Sequence, residues 1–269
     1  MKDYDYRVYI PSGNPTALVM GIENDPNRRK EINDEIMKLY NDFVEQVGFV
    51  NTDINNTELM MAGGEFCGNA TRSAVKYYLN DKKGNLSMKV SGVPERLNTG
   101  MDEYGNAWVD MPVIKGAYEN SVRRVDDNTA IVRMYGITHV VMESGDVNSK
   151  YSKEELKQYA YGILESLDLL KEDAAGVMFV NRLDDVNIEI APVVFVRAIN
   201  TLFYETACGS GTTAVGVYES ARLKTGIDTN ILQPSGNTIN VKTEADDKNI
   251  YNVRISGKVE EYPKKLTKK

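Results

Sequence analysis

The chain has 269 residues, of which 42% are hydrophobic and 26% are charged, and its formal net charge is −7. This composition is typical of a globular protein with a sizeable core, the length favours two domains, and the acidic balance argues against a nucleic-acid partner. No apolar run is long enough to span a membrane, and the first residues carry acids where a signal peptide has an apolar segment. We therefore expect a cytoplasmic protein with neither a nucleic-acid nor a membrane partner.

The first half of the chain predicts a sheet with two helices. The spacing of apolar residues predicts strands at 4–10, 17–22, 45–50, 58–62, 86–91, 96–99 and 107–111 and helices at 26–43 and 70–79. A turn signal at 11–14 joins the first two strands into a hairpin, where the side-chain amide of Asn14 can reach a ligand. From the turn alone, a structural asparagine is the simpler interpretation.

The second half predicts a similar set of elements. A polar stretch at about 115–128 is expected to cross between the halves, and 263–269 is a basic tail expected to be solvated. The apolar pattern predicts strands at 130–135, 138–142, 176–181, 187–190, 193–196, 239–243 and 251–259 and helices at 152–170 and 212–223. Ser152 and Glu155 form a capping-box pattern at the first of these helices. His139, the only histidine, lies in a strand, where a packing role is the simpler interpretation.

Both halves contain a cysteine directly before a helix. Residues 64–72 read Gly-Glu-Phe-Cys-Gly-Asn-Ala-Thr-Arg, and residues 205–213 read Glu-Thr-Ala-Cys-Gly-Ser-Gly-Thr-Thr. The first N–H groups of a helix have no intrahelical partner, so this position can hold an anion and favours a thiolate. Either cysteine alone is better explained as a buried apolar residue, and a disulfide is disfavoured because disulfides are rare in cytosolic proteins. The repetition favours two reactive thiols, Cys67 and Cys208, that face one substrate.

The halves match beyond these two motifs. Each helix is followed by a polar break and then by a Ser-Gly step, at Ser91-Gly92 and at Ser235-Gly236. We interpret the chain as a duplicated unit, with an N-terminal domain at 1–120, a C-terminal domain at 121–262 and the tail at 263–269. The expected fold class is α/β in the broad sense, that is, α+β with mixed sheets. A site between two domains is a common location for a small ligand.

The chain resembles the diaminopimelate epimerase superfamily of cofactor-independent amino-acid racemases and epimerases. The motifs Cys-Gly-Asn at 67–69 and Glu-Thr-Ala-Cys-Gly-Ser-Gly at 205–211 and the Gly-Asn step at 13–14 carry the resemblance. It implies two pseudo-symmetric domains, each a mixed sheet wrapped around a central helix. It also implies an isomerase with a small amino-acid substrate, no cofactor and no metal, and a homodimer is the expected assembly.

The family chemistry implied by the resemblance is a two-base inversion at the Cα atom. One thiolate removes the proton from one face and the opposite thiol returns one to the other, so that Cys67 and Cys208 exchange roles with the handedness of the substrate. The N–H groups of the motif residues would hold the developing negative charge of the carboxylate. The expected substrate-binding residues at the two motifs are Gly68, Asn69, Glu205, Gly209 and Ser210.

The departures from diaminopimelate epimerases concern the substrate side chain. Ile199 and Asn200 stand where those enzymes have an acid–arginine pair, and Met60, Ile137 and Ala174 stand in place of their asparagines. Without that arginine a second carboxylate is poorly held, so diaminopimelate is disfavoured. The closer resemblance is to histidine racemases, through the motifs at 11–14, 45–49 and 65–71.

This closer resemblance implies roles for three further residues. Glu45 would accept an imidazole N–H with Gln46 beside it, although a surface acid is the simpler interpretation of Glu45. His139 aligns with a histidine that assists a cysteine. We expect a histidine racemase, and an epimerase of diaminopimelate, lanthionine or another cationic amino acid is the alternative. A non-enzymatic binding protein or a thiol redox protein is an alternative from a different functional class. The sequence has no Cys-x-x-Cys motif to support the redox role.

Overall fold

The computed structural model describes residues 4–41, 43–184, 187–197 and 200–263. The chain forms two compact units. The first contains the chain up to Val109 and again from Gly257 onward, and the second runs from Asp110 to Ser256. None of the helices in the described part of the chain is long and apolar enough to cross a membrane.

The first unit is built from a mixed sheet and two helices. Its strands are β1 (Tyr6–Pro11), β2 (Thr16–Met20), β3 (Gln46–Val50), β4 (Glu58–Met61), β5 (Gly84–Val90), β6 (Leu97–Met101) and β7 (Asn106–Asp110), and its helices are α1 (Pro26–Leu39) and α2 (Gly68–Leu79). Strands β2 and β3 pair in parallel, as do β4 and β5, and the remaining neighbours pair antiparallel. The predicted first hairpin is confirmed, with Arg7 opposite Leu18.

Helix α2 is the central helix of this unit. All of its residues from Gly68 to Val75 are buried, and it contacts strands β1 to β6. A helix buried on every side needs small or apolar residues around its whole circumference, which the sequence Gly-Asn-Ala-Thr-Arg-Ser-Ala-Val largely provides. Helix α1 covers the outside of the sheet, where Ile32 and Ile36 pack into an apolar cluster with residues of β1, β2 and β3.

The second unit repeats this plan with more strands. Its strands are β8 (Gly116–Ala117), β9 (Val122–Arg124), β10 (Thr129–Met134), β11 (Ile137–Glu143), β12 (Ala174–Arg182), β13 (Ile188–Val196), β14 (Thr201–Tyr204), β15 (Asp228–Leu232), β16 (Thr238–Ala245) and β17 (Asn249–Glu261), and its helices are α3 (Lys153–Ser166) and α4 (Gly209–Leu223). Helix α4 is buried from Gly211 to Ser220 and contacts β9 to β12 and β16. The expected fold class, a mixed sheet around a central helix in each half, is confirmed.

Helix α3 begins as the sequence predicts. The Ser152 hydroxyl accepts the Glu155 N–H at 3.3 Å, and the Glu155 carboxylate accepts the Ser152 N–H at 2.7 Å. This reciprocal pair satisfies two N–H groups that the first turn leaves without partners. Leu156, Ala160 and Leu164 then face the sheet at helical spacing.

Strand β13 differs from the prediction of two strands, 187–190 and 193–196. The structure has one strand through Pro192, which lies opposite Met178 of β12. On its other edge β13 pairs first with β15, through Ile188 and Glu189, and then with β14, from Val193 onward. The missing N–H of Pro192 falls where the pairing partner changes, so the strand continues without losing a ladder bond.

The domain limits also differ from 1–120 and 121–262. The stretch from 116 to 124, expected as a polar crossover, forms β8 and β9, which pair with β17 and β10 inside the second unit. The last residues of β17 pair instead with β1, with Tyr9 opposite Glu261, so the chain returns to the first unit. Of the predicted tail, residues 264–269 lie outside the described part of the chain.

Candidate active site

Cys67 is the N-cap residue of the buried helix α2. Its backbone is extended, with φ −137° and ψ 115°, and its Sγ accepts the Ala70 N–H at 3.4 Å. The first backbone hydrogen bond of the helix runs from Thr71 N to Cys67 O. The N–H groups of Gly68 and Asn69 thus lie in the first turn, ahead of the carbonyl ladder, which is the position where a helix can bind an anion.

The Ser-Gly step after α2 holds the Cys67 loop in place. The Ser91 hydroxyl donates to Glu65 O at 2.7 Å and accepts the Met61 N–H at 2.9 Å. Gly92 has φ +75°, and a Cβ there would lie 2.4 Å from Phe66 N. Only glycine fits this position, so the step fixes the approach of the chain to the cysteine.

Three amide side chains and one carboxylate form a hydrogen-bonded chain that reaches Cys67 in the first unit. The Cys67 Sγ lies 2.9 Å from Gln46 Oε1, and Gln46 Nε2 donates to Asn14 Oδ1. Asn14 also accepts from Asn69 Nδ2 at 3.1 Å and donates to Glu45 Oε2 at 2.5 Å. Asn14 closes the turn through its N–H to Pro11 O at 3.1 Å and is 1% exposed, and Glu45 is half-buried.

Arg72 is a residue of this site that the sequence analysis passed over. It is fully buried, and it donates to Asn69 Oδ1 at 2.7 Å and to Ser12 Oγ at 3.2 Å. Burial lowers the pKa of the guanidinium to about 10, and the nearby Cys67 opposes this change. The sequence feature that could have identified Arg72 is its position five residues after the cysteine, on a helix that is buried on every side.

Cys208 occupies the same position in the second unit. It is the N-cap residue of α4, with φ −126° and ψ 108°, and its Sγ accepts the Gly211 N–H at 3.2 Å. The first backbone bond of α4 runs from Thr212 N to Cys208 O, which leaves the N–H groups of Gly209 and Ser210 without a partner in the helix.

Two contacts hold this second cysteine loop. The Ser235 N–H donates to Thr206 O at 2.9 Å, in the Ser-Gly step that the sequence matched to Ser91-Gly92. Gln233, which the sequence analysis missed, is buried, and its Oε1 accepts the Cys208 N–H at 2.9 Å while its Nε2 donates to Thr212 Oγ1 at 3.0 Å. The sequence feature that could have identified Gln233 is its position directly before the Pro-Ser-Gly turn.

His139 reaches Cys208 through a serine. Its Nε2 lies 2.9 Å from Ser210 Oγ, which lies 3.5 Å from Cys208 Sγ. The ring is fully buried, and this burial lowers the pKa of His139 to about 3, so the imidazole is neutral over the physiological range. Gly176 makes room for the ring, because a Cβ there would lie 2.7 Å from His139 Nδ1.

The environment of Cys208 opposes ionisation. Burial and then the neighbouring Glu205 carboxylate raise the pKa of the Cys208 thiol well above its usual range, although the Ser210 hydroxyl and the Gly211 N–H act in the other direction. This outcome is the opposite of the lowered pKa that a helix N-terminus alone predicts. Desolvation of this fully buried thiol is the largest cause of the increase.

The predicted site residues thus form two groups. Those of the first unit gather around Cys67, those of the second gather around Cys208, and Glu205 is half-buried beside its cysteine. Of the positions that depart from diaminopimelate epimerases, Ile199 lies outside the described residues. Ala174 is buried in β12.

Comparison with protein families gives one match along nearly the whole chain. The model described as the histidine racemase CntK N-terminal domain matches residues 4–262. A histidine racemase of Fusobacterium nucleatum subsp. nucleatum is 33% identical to this chain over 244 residues, which cover 86% of this chain and 87% of that protein.

Solved structures share the fold at much lower identity. A PhzF-family phenazine biosynthesis protein of Bacillus anthracis superposes with a TM-score of 0.66 at 15% identity, covering 98% of each chain. A hydroxyproline epimerase of Agrobacterium vitis, solved with bound trans-4-OH-L-proline, superposes with a TM-score of 0.65 at 10% identity, covering 97% of this chain and 91% of that one. These likenesses establish the fold.

Proposed function

The chain belongs to the histidine racemase family, and we propose that it interconverts L- and D-histidine through proton transfer by Cys67 and Cys208. The observation that carries the proposal is the family match over residues 4–262. The identity of 33% to a histidine racemase over most of both chains supports the same substrate.

Racemisation at Cα requires a base on one face of the substrate and an acid on the other. Two thiols can supply both, because a thiolate accepts the Cα proton while the second thiol donates one. The support from the structure is that both cysteines occupy the N-cap position of a buried helix, each with its Sγ turned toward a backbone N–H. For one enantiomer Cys67 is the base, and for the other Cys208 is.

The carboxylate of the substrate must carry negative charge while the Cα proton is absent. The N–H groups of Gly68, Asn69, Gly209 and Ser210 belong to the first turns of the two helices, before the first ladder bonds, and they lie next to the thiols in sequence. In our proposal they bind the carboxylate and stabilise the charge that develops on it.

Two acidic residues near the cysteines are proposed to bind the side chain and the α-ammonium group of the substrate. Glu45, in contact with Asn14, is proposed to accept an N–H of the imidazole side chain. Glu205, next to Cys208, is proposed to contact the α-ammonium group, since a carboxylate and an ammonium attract each other strongly in a partly buried site. His139 remains neutral and orients Ser210 toward the thiol.

The alternative is an epimerase of diaminopimelate, lanthionine or another cationic amino acid. Glu45 supports this alternative as well, because a carboxylate also binds an aliphatic ammonium group. Histidine and the other cationic amino acids should therefore be tested as substrates in the same experiment.

The test follows Cα exchange for a panel of L-amino acids in D₂O by mass spectrometry and chiral chromatography. We expect histidine alone to racemise, with deuterium appearing in the D-product while the recovered L-substrate keeps its proton early in the reaction. Cys67→Ser and Cys208→Ser each replace a thiol with a poorly acidic hydroxyl, and each should lower the rate by at least about 10²-fold.

Three results would count against the proposal. Racemisation of another amino acid in place of histidine would keep the two-thiol chemistry and favour the alternative. Early deuterium in the recovered substrate would contradict two bases, and undiminished racemisation in either serine variant would remove that cysteine from the mechanism.

A further inference from the structure

The structure carries an inference about the proton on Cys67, and it rests on the proposed function for the importance of that thiol. We propose that Gln46 is a positioning residue that keeps Cys67 in the thiol form in the ligand-free protein. The direction of its amide is set by Arg72 and Glu45, which lie at the two ends of a chain of side-chain amides.

The first end of this chain is the buried guanidinium of Arg72. A guanidinium has only donors, so the oxygen of the Asn69 amide must face it, and the observed distance from Arg72 NH2 to Asn69 Oδ1 is 2.7 Å. The nitrogen of Asn69 then points away, and it donates to Asn14 Oδ1 at 3.1 Å. This end therefore requires the oxygen of Asn14 to face Asn69.

The second end is the carboxylate of Glu45, which accepts from Asn14 Nδ2 at 2.5 Å. An ionised carboxylate has only acceptors, so the nitrogen of Asn14 must face Glu45 and its oxygen must face the opposite way. Both charged ends thus require the same orientation of Asn14. Since Asn14 is 1% exposed, water does not offer its amide alternative partners.

The orientation of Asn14 fixes that of Gln46. The Asn14 Oδ1 atom can accept only, so Gln46 presents its nitrogen, which also donates to Thr16 Oγ1 at 2.8 Å. The oxygen of Gln46 is left facing Cys67 Sγ at 2.9 Å. A carbonyl oxygen also accepts only, so a favourable contact requires the thiol to keep its proton.

Ionisation of Cys67 would bring a thiolate against the lone pairs of this oxygen. To avoid that, Gln46 would have to turn its amide over and give up its bonds to Asn14 and Thr16. The charged group that acts in the other direction is Arg72, whose positive charge attracts a thiolate. Its two bonded donors point at Asn69 and Ser12, whereas Gln46 is in direct contact with the sulfur.

The test measures thiolate formation at Cys67 directly and needs no substrate. In Cys208→Ser protein, the ultraviolet absorbance of the thiolate is followed against pH, with the Cys67→Ser/Cys208→Ser protein as the baseline. We expect the pH midpoint to lie above the ~8.5 of a free cysteine. Gln46→Met, which has a similar length but no carbonyl oxygen, should lower the midpoint by about one pH unit or more.

Two variants separate this role from a general change in packing. Gln46→Glu keeps an oxygen acceptor next to the sulfur and should keep the midpoint at least as high as in the parent protein. Gln233→Met removes the corresponding glutamine of the second unit, which contacts the Cys208 backbone and not a thiol, and it should leave the Cys67 midpoint unchanged.

A midpoint at or below the ~8.5 of a free cysteine with Gln46 intact would overturn the proposal, as would equal midpoints for Gln46→Met and the parent. Failure of the racemase proposal is distinguishable, because it would appear as absent Cα exchange while these midpoints kept their order. The infrared S–H band of Cys67 gives a second readout. It should lie at lower frequency in the parent than in Gln46→Met, which lacks the Gln46 carbonyl as an acceptor for the thiol proton.

Discussion

Cys67 and Cys208 hold equivalent positions in the two units of the chain. Each is the N-cap of a central helix with extended φ and ψ, and each Sγ accepts the N–H three residues further on, from Ala70 and Gly211. Their surroundings differ, because Cys67 is half-buried beside an amide and Cys208 is 2% exposed beside a carboxylate. The two units therefore share one backbone arrangement at the cysteine, and they differ in the side chains that surround it.

The first prediction concerns the Glu205 carboxylate beside Cys208. Its charge is the second cause, after burial, that raises the pKa of this thiol. Glu205→Gln removes the charge, so the pKa of Cys208 should fall and its thiolate should appear at lower pH. Thiolate absorbance in Cys67→Ser protein measures the shift. Glu65→Gln, in the matching motif of the first unit, is the control that should leave the Cys208 curve in place.

The second prediction concerns Gly176, which lies against the imidazole of His139. A Cβ there would lie 2.7 Å from Nδ1 and 2.9 Å from Val193 O, so Gly176→Ala should displace the ring and break its contact with Ser210. We expect histidine racemisation to fall by about tenfold or more, a loss of the size that follows from misplacing a positioning group.

Gly162→Ala is the matched control for this glycine. Gly162 lies within α3, and a Cβ there would meet nothing within 4 Å. The added methyl group should stabilise the helix by about 0.5–1 kcal/mol and leave the racemisation rate unchanged. Equal rates for Gly176→Ala and Gly162→Ala would show that the position of His139 does not matter to the reaction.

Much of the fold could be predicted because its signals are local. The capping box at Ser152, the first hairpin and the helices after the two cysteines depend on residues within a few positions of one another. The apolar pattern predicts two strands where the structure has β13, because whether Pro192 fits inside a strand depends on which strands pair on either side of it. Such pairing is a property of distant parts of the chain.

Prediction of the candidate site is limited in the same way, because part of it depends on contacts between distant parts of the chain. Cys67 and Cys208 are visible from repetition alone, whereas Arg72 and Gln233 become visible only when burial and hydrogen-bond partners are known. The pKa of Cys208 could not be predicted from its helix N-terminus, because the deciding influence is burial by surrounding strands. Local sequence thus predicts which two thiols are candidates for the reaction, and burial by the rest of the chain raises the pKa of Cys208.

The third prediction tests Glu45 as the residue that binds the substrate side chain. A carboxylate binds an imidazolium more tightly than a neutral imidazole, so the KM for histidine should be lower at pH 6 than at pH 8. Glu45→Gln should raise the KM at pH 6 by roughly tenfold and remove this pH dependence, with a smaller change in kcat. Glu31→Gln, an exposed acid on α1, is the control. An unchanged KM in Glu45→Gln would exclude Glu45 from side-chain recognition.

The last prediction concerns stability and uses the fact that His139 is the only histidine of the chain. Burial lowers its pKa to about 3 in the folded protein, compared with about 6.5 when unfolded. The unfolded chain therefore binds a proton below pH 6.5 that the folded protein does not bind until about pH 3. The stabilisation is fully present above pH 6.5 and is lost by about 1.4 kcal/mol per pH unit below it.

Urea unfolding of the wild type and of His139→Gln at pH 7.5 and pH 5.0 measures this linkage. The carboxylates contribute equally to both proteins, so their effect cancels in the comparison. The free energy of unfolding of the wild type should fall by about 2 kcal/mol more than that of the variant between the two pH values. Equal losses in both proteins would mean that His139 is protonated in the folded state at pH 5, and a neutral imidazole oriented toward Ser210 would then be excluded at that pH.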